Sequence, residues 1–200
     1  MKMDINHLRS WIGKKETHDD TATAFPVAAL SATLDRKDPP PKTGDVIPHS
    51  GHWLYFLETA ANAELGHDGH PRRGGFLPPV TLPRRMWAGG RIDFRAPVRV
   101  GDAIRRDSEI LSVEAKSGKS GDLVFVTVRH TVSANGTTAI VEEHDIVYRD
   151  AAKPGDTPPA GKPAPQQAAW RRELQASEAV LFRYSAITFN GHREHKDSSR

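Results

Sequence analysis

Residues 123–148, LVFVTVRHTVSANGTTAIVEEHDIVY, alternate apolar and polar side chains on both sides of Asn135-Gly136. A period of two is typical of strands that bury one face, and Asn-Gly between two such runs is the strongest short signal for a hairpin. Two further alternating segments lie upstream, at 91–95 and 103–113. The sequence therefore predicts an antiparallel meander of long strands.

Two amphipathic segments precede these strands. Apolar residues at helical spacing predict a short helix over 5–12, and a second helix is predicted to begin after Thr23, with Pro26 in its first turn, and to continue to Leu34. A sheet with one apolar face needs a covering layer. We therefore predict an α+β fold in which the sheet wraps the second helix.

Composition narrows the class of protein. Hydrophobic residues make up 37% and charged residues 26% of the chain, as in a globular protein with a core. The sequence has no apolar run of the roughly 18 residues that a membrane span requires, and no cysteine. We expect a cytoplasmic protein with no membrane partner, whose chemistry rests on His, Asp, Glu, Asn or Ser.

The net charge of +3 comes from basic residues that are scattered among acidic ones. A nucleic-acid-binding protein would cluster them, so we expect no nucleic-acid partner. A mild positive excess fits either a solvated surface or a ligand that carries phosphates. In the Gly- and Pro-rich loop 66–83, Arg72, Arg73 and Gly74 are candidates for binding an anion, although arginines in such loops are commonly just exposed.

Proline content divides the chain. We predict a first domain over 1–150, a Pro-rich linker over 151–168 and the beginning of a second unit over 169–200. In this last segment the pattern favours a weak helix at 170–174, a strand at 179–182 and a helix starting near Tyr184.

Two stretches resemble one known family. They are PRRGGFLPP with PRRMWAGG, at 71–79 and 83–90, and LFRYSAITFNGHR at 181–193. They are similar to parts of MaoC-like hydroxyacyl-thioester dehydratases and mesaconyl-coenzyme A hydratases. The resemblance implies two hotdog units, each an antiparallel sheet wrapped around a long helix, with the acyl chain in the first unit and the catalytic pair in the second.

The resemblance also implies catalytic residues. Related (R)-specific hydratases carry Asp, any, Asn, Pro, any, His; here Asn190 stands at the Asp position, His192 at the Asn position and His195 at the His position. A neutral His195 would take a proton from water, since imidazole titrates near neutral pH. Asn190 would orient that water, His192 would contact substrate, and a backbone N–H at the start of the second unit's long helix would stabilise the enolate oxygen.

Other side chains have more than one interpretation. The aromatic residues Trp53 and Trp87 are candidates for lining an acyl pocket, with ordinary core packing as the alternative. Histidines at three-residue spacing occur at 49 and 52, 67 and 70, and 192 and 195. They lie in predicted loops without a zinc signature, so we expect no metal site and no cofactor.

The tail departs from the family pattern. Family members have an apolar residue where Glu194 stands and an aromatic one where Lys196 stands, whereas residues 193–200 here are wholly polar. We expect a second unit truncated by a premature end, a frameshift or a split gene, and little hydratase activity from the chain alone. The prediction is an acyl-coenzyme A hydro-lyase, as a homodimer or with a complementary chain. The rival hypothesis is a non-catalytic acyl-coenzyme A-binding hotdog protein or one subunit of a hetero-oligomeric dehydratase.

Overall fold

The structure is a computed structural model that describes residues 4–66, 68–72, 74–118, 121–151, 161 and 163–191. The helices are α1 (Ile5–Arg9), α2 (Ala24–Thr33), α3 (Glu178–Ile187) and the short 3₁₀ helices Gly51–Leu54 and Asn62–Glu64; the strands are β1 (Lys15–Thr21), β2 (Arg84–Phe94), β3 (Ala103–Gly118), β4 (Gly121–Ala134) and β5 (Thr137–Arg149). None of the helices in these ranges is long and apolar enough to cross a membrane.

The strands form one antiparallel sheet in the order β1-β3-β4-β5-β2. The predicted meander over 103–148 is confirmed. Asn135 and Gly136 connect β4 to β5 with φ values of 48° and 82°, the left-handed conformation that a two-residue hairpin turn requires. The pairing of β4 with β5 shifts between Val132 and Ser133, so that the consecutive residues Ala139 and Ile140 are both buried, and the register beyond this irregularity sets which residues face the core.

Both edges of the sheet extend beyond the prediction. Strand β1, with the sequence KETHDDT, pairs with β3 although its side chains are polar and mostly exposed. Strand β2 begins at Arg84, earlier than the alternation near Arg91 indicates, and its pairing with β5 shifts between Trp87 and Gly89. Polar edge strands give little apolar alternation, which explains why the pattern misses β1.

The apolar face of the sheet carries two groups of buried side chains. One includes Ile104, Val132 and Ile140 and receives Ala24, Val27 and Leu30 of α2. The other, around Val126 and Tyr148, is covered by Leu8 of α1 and by the segment 76–82. Helix α2 thus contributes to the core, but its three contacting side chains are only partly buried.

The C-terminal segment differs from the prediction in two respects. Residues 179–182, predicted as a strand, belong to α3, which Ser177 caps by accepting a hydrogen bond from the backbone N–H of Val180. A short apolar run is compatible with either structure, and here α3 packs against α2. The predicted weak helix at 170–174 is also wrong, because this segment has no regular structure.

Candidate functional site

A pocket of about 660 Å³ opens on the apolar face of the sheet, beside the 3₁₀ helix Gly51–Leu54. One wall is the segment after the first 3₁₀ helix, and the other is formed by β2 and the centre of the sheet. Its lining is mainly aromatic and aliphatic, from Trp53, Tyr55, Phe56, Leu57, Trp87, Ile92 and Val132. Pockets of this size and character are typical of small-molecule sites.

A row of polar side chains from three neighbouring strands lines the floor of this pocket: Arg106, His130, Glu142 and His144. Strand pairing places Ser108 of β3 opposite His130 of β4, and His130 opposite Glu142 of β5. His144 lies two residues further along β5, on the same face as Glu142. The row therefore occupies positions where the alternation of the strands would place apolar residues.

Glu142 accepts hydrogen bonds from two residues of the pocket wall. Its Oε2 lies 3.0 Å from Nε2 of His52 and 3.1 Å from Nε1 of Trp53. His52 is only 5% exposed, and its Nδ1 is buried without a hydrogen-bond partner among the described residues. The pair ties the 3₁₀ helix to the centre of the sheet and fixes the indole of Trp53 at the pocket.

The pKa values of these groups are shifted from their usual ranges. Burial alone would raise the pKa of Glu142, but the hydrogen bonds from His52 and Trp53 hold the pKa below its ordinary value. Burial, reinforced by the nearby charge of Arg106, lowers the pKa of His130 to about 4. Burial also lowers the pKa of His144. Near neutral pH Glu142 is therefore ionised, and the imidazoles of His130 and His144 are neutral.

Neutral His130 is also held in place. Its Nδ1 lies 2.9 Å from Oγ of Ser108, which is itself buried. This contact leaves Nε2 of the same ring available to the pocket that His130 lines. An imidazole fixed in this way can exchange a hydrogen bond with a bound molecule without a change of charge.

A smaller cavity, of about 330 Å³, lies between α3 and the loop that contains the second 3₁₀ helix. Asn190 lines it, together with Phe182, Ser185 and Phe189 of the α3 segment and His70 of the loop. The backbone N–H of Asn190 donates to the carbonyl of Ser185 at 2.8 Å, after Phe189 has turned the chain with a φ of 47°. This turn directs the end of α3 toward the loop, where Gly191 approaches the carbonyl of Gly69 closely.

The structure brings some of the predicted site residues together and separates others. Trp53 and Trp87 line the 660 Å³ pocket, whereas Asn190 lines the smaller cavity. Arg72 and Gly74 are exposed and line neither, and Arg72 donates its backbone N–H to the carbonyl of Glu64. Arg73, His192 and His195 lie outside the described residues.

Sequence reasoning missed the polar floor of the pocket. Arg106, His130, Glu142 and His144 share strand faces with buried apolar residues such as Ile104, Val132 and Ile140. A signal for them does exist in the sequence. In a strand that alternates regularly, a charged or imidazole side chain at a core-facing position indicates either a buried pair or a pocket. His49 and His52, the pair with three-residue spacing, contact other side chains. The ring of His49 stacks on Phe94, and Nε2 of His52 lies 3.0 Å from Oε2 of Glu142.

Comparison with known proteins decides the family. The sequence model of hydroxyacyl-thioester dehydratase type 2 matches residues 49–199, which is most of the chain. The chain belongs to this family. It is also 42% identical, over 188 residues, to the mesaconyl-C(4)-CoA hydratase of Chloroflexus aurantiacus, an alignment that covers 94% of this chain and 67% of that protein.

Solved structures with low sequence identity to this protein have the same fold. A MaoC-like dehydratase aligns with a TM-score of 0.50 and 14% identity, covering 92% of this chain and 68% of its own. The ChsH1-ChsH2 complex from Mycobacterium tuberculosis aligns with a TM-score of 0.54 and 11% identity, covering 78% of this chain and 94% of that one. The predicted hotdog fold and MaoC-like family are thus confirmed.

Proposed function

We propose that this protein binds an enoyl- or 3-hydroxyacyl-coenzyme A thioester and serves the reversible addition of water to its carbon–carbon double bond. The observation that carries the proposal is the 42% identity, over 188 residues, to mesaconyl-C(4)-CoA hydratase. The alignment spans 94% of this chain, and the protein with which it aligns is a hydratase. The 660 Å³ pocket supports the proposal because its apolar walls suit an acyl chain.

The proposed chemistry follows from the thioester. Water adds to the β carbon as His195 takes one of its protons, and the electron pair of the double bond moves toward the thioester carbonyl as an enolate. A proton returned to the α carbon completes the product, so His195 serves first as base and then as acid. Asn190 has no titratable proton and orients the water through its amide.

Binding is assigned to both parts of the chain. Trp53 and Trp87 are proposed to flank the acyl group, while Arg72, Arg73 and Gly74 meet the phosphates of coenzyme A, and His192 contacts the substrate near the reacting carbons. The proposed reaction uses no redox cofactor, because the addition of water involves no net oxidation or reduction, and the proposal assigns the proton transfers to His195 without a metal. The proposed partner is a second copy of this chain or a separate chain with a complementary hotdog unit.

Turnover tests the catalytic part of the proposal. The absorbance of the conjugated enoyl thioester is followed with the 200-residue chain and with the chain joined to the remaining third of the Chloroflexus hydratase, since the alignment covers 67% of that protein. In the form with activity, His195→Ala is expected to reduce kcat by about 100-fold or more, and Asn190→Ala by a smaller factor. His7→Ala, at an exposed position in α1, is the control and should leave kcat unchanged.

The same assay separates the rival function. Acyl-coenzyme A binding without turnover in either form would overturn the hydratase proposal and favour a non-catalytic thioester-binding protein. Activity that is unaffected by His195→Ala would overturn the assignment of that residue.

A further inference from the structure

Arg106 occupies an unusual position for a charged residue. It lies in β3 on the same face as the buried residues Ile104 and Ser108, opposite Val132 of β4. Its guanidinium carbon is 5.3 Å from the centre of the Phe56 ring, and both residues line the 660 Å³ pocket. The half-buried cation thus lines the pocket against the ring of Phe56.

Arg106 lacks an acidic partner in the part of the chain that the structure describes. Among the described residues it takes part in no ion pair, in contrast to the neighbouring Arg105, which pairs with Asp19. Its Nε is buried and has no hydrogen-bond partner within that part of the chain. A partly buried cation without a partner is unfavourable, and a ligand anion would restore the charge-assisted hydrogen bonds that it lacks.

The other polar groups of the pocket do not supply the partner that Arg106 lacks. The carboxylate of Glu142 is occupied by hydrogen bonds from His52 and Trp53, on the side of the pocket formed by the 3₁₀ helix. His130 lies between Glu142 and the position of Arg106 in the sheet, and it is neutral near pH 7. In the tautomer in which Nδ1 accepts from the hydroxyl of Ser108, Nε2 carries the proton and is a second, uncharged donor toward the pocket.

We propose that Arg106, assisted by His130, binds a carboxylate carried at the far end of the acyl chain, so that the pocket selects dicarboxylic over monocarboxylic acyl thioesters. This inference rests on the proposed function, because it assumes that the pocket holds the acyl group. A carboxylate fits better than a phosphate of coenzyme A, since the walls around Arg106 are apolar and match a short hydrocarbon spacer.

Matched ligands test the carboxylate directly. Glutaryl-coenzyme A and pentanoyl-coenzyme A carry acyl groups of equal carbon number and differ in the terminal carboxylate. Calorimetric titration of the wild-type chain is expected to show glutaryl-coenzyme A bound about tenfold more tightly, which corresponds to one good charge-assisted interaction. Coenzyme A alone is the third ligand and reports binding through the phosphates.

Variants assign the selectivity to one residue. Arg106→Met should bring the two affinities to a ratio near one, leave binding of pentanoyl-coenzyme A unchanged or tighter, and not lower the melting temperature. Arg105→Met is the matched control, because Arg105 is the neighbouring arginine, pairs with Asp19 at 2.7 Å and points away from the pocket. Arg105→Met should retain the wild-type ratio of the affinities for glutaryl-coenzyme A and pentanoyl-coenzyme A. Arg106→Lys keeps a charge without the fork of donors and should retain part of the preference.

The outcomes separate this inference from the proposed function. If the wild-type chain binds pentanoyl-coenzyme A and glutaryl-coenzyme A with similar affinity, the inference of a carboxylate site is wrong, irrespective of the results with the variants. The proposed function would still stand. If Arg106→Met weakens coenzyme A alone as much as it weakens glutaryl-coenzyme A, Arg106 binds a phosphate and the inference is overturned. If none of the three ligands binds, the proposed function fails with it.

Discussion

His52 and Glu142 are 90 positions apart in the chain, yet Nε2 of the histidine lies 3.0 Å from Oε2 of the glutamate. Both residues are buried, and together they connect the 3₁₀ helix to the centre of the sheet beside the pocket. A buried pair of this kind is costly to break, because the remaining partner keeps its polar atoms without access to water.

Glu142→Ala is therefore expected to destabilise the fold by about 3 kcal/mol, measured by urea unfolding. Glu142→Gln retains an acceptor for Trp53 and should cost less. Glu143→Ala is the control, since Glu143 faces the other side of the sheet and pairs with Arg91 and Arg129 near the surface, where ion pairs contribute about 1 kcal/mol or less. Equal losses for Glu142→Ala and Glu143→Ala would contradict the importance of the buried pair.

Stability should also depend on His130 at acid pH. Its pKa in the folded protein is about 4, below the value near 6.5 of the unfolded chain, so the unfolded state binds the proton more readily. This contribution is fully present above pH 6.5 and is lost as the pH falls toward 4, to a total of at most about 3 kcal/mol. His130→Gln should flatten the stability profile between these pH values, whereas His7→Gln at an exposed position should not. An unchanged slope in His130→Gln would show that His130 is not buried as a neutral ring.

The hairpin between β4 and β5 gives a test of the fold. Gly136 has a φ of 82°, and a Cβ there would meet no atom within 4 Å, so any penalty for Gly136→Ala comes from the backbone conformation alone. We expect a loss of about 1 kcal/mol in the free energy of unfolding. Gly75→Ala, at a position that is equally open but lacks a left-handed φ, should be nearly neutral. A neutral Gly136→Ala would argue against this turn.

These examples show why the sequence predicts some features and not others. The Asn135-Gly136 hairpin is local, so its pattern is visible without knowledge of the rest of the chain. The segment 179–182 is apolar in a way that fits both a strand and a helix, and packing of α3 against α2 decides between them. Trp53 and Trp87 could be proposed as pocket residues from their chemistry. The hydrogen bond between His52 and Glu142 joins residues 90 positions apart, so it depends on how the strands pair and on the course of the loops between them.

Trp87 should matter for binding more than for stability. It is 67% exposed and stands at the rim of the 660 Å³ pocket, so an acyl chain would cover the indole on entering. Trp87→Ala is expected to weaken binding of pentanoyl-coenzyme A by about tenfold or more, with little change in melting temperature. Trp170→Ala is the control, since Trp170 is 76% exposed and lines none of the pockets found in the described residues. Equal effects of the two variants on affinity would place the acyl chain elsewhere.

The most direct measurement is the melting temperature of the 200-residue chain with and without a saturated acyl-coenzyme A. A ligand that binds only the folded state stabilises it by about 2.7 kcal/mol at 100 times its dissociation constant. We expect pentanoyl-coenzyme A at millimolar concentration to raise the melting temperature by several degrees, and by more than coenzyme A alone. No increase over coenzyme A alone would contradict an acyl-binding pocket in this protein.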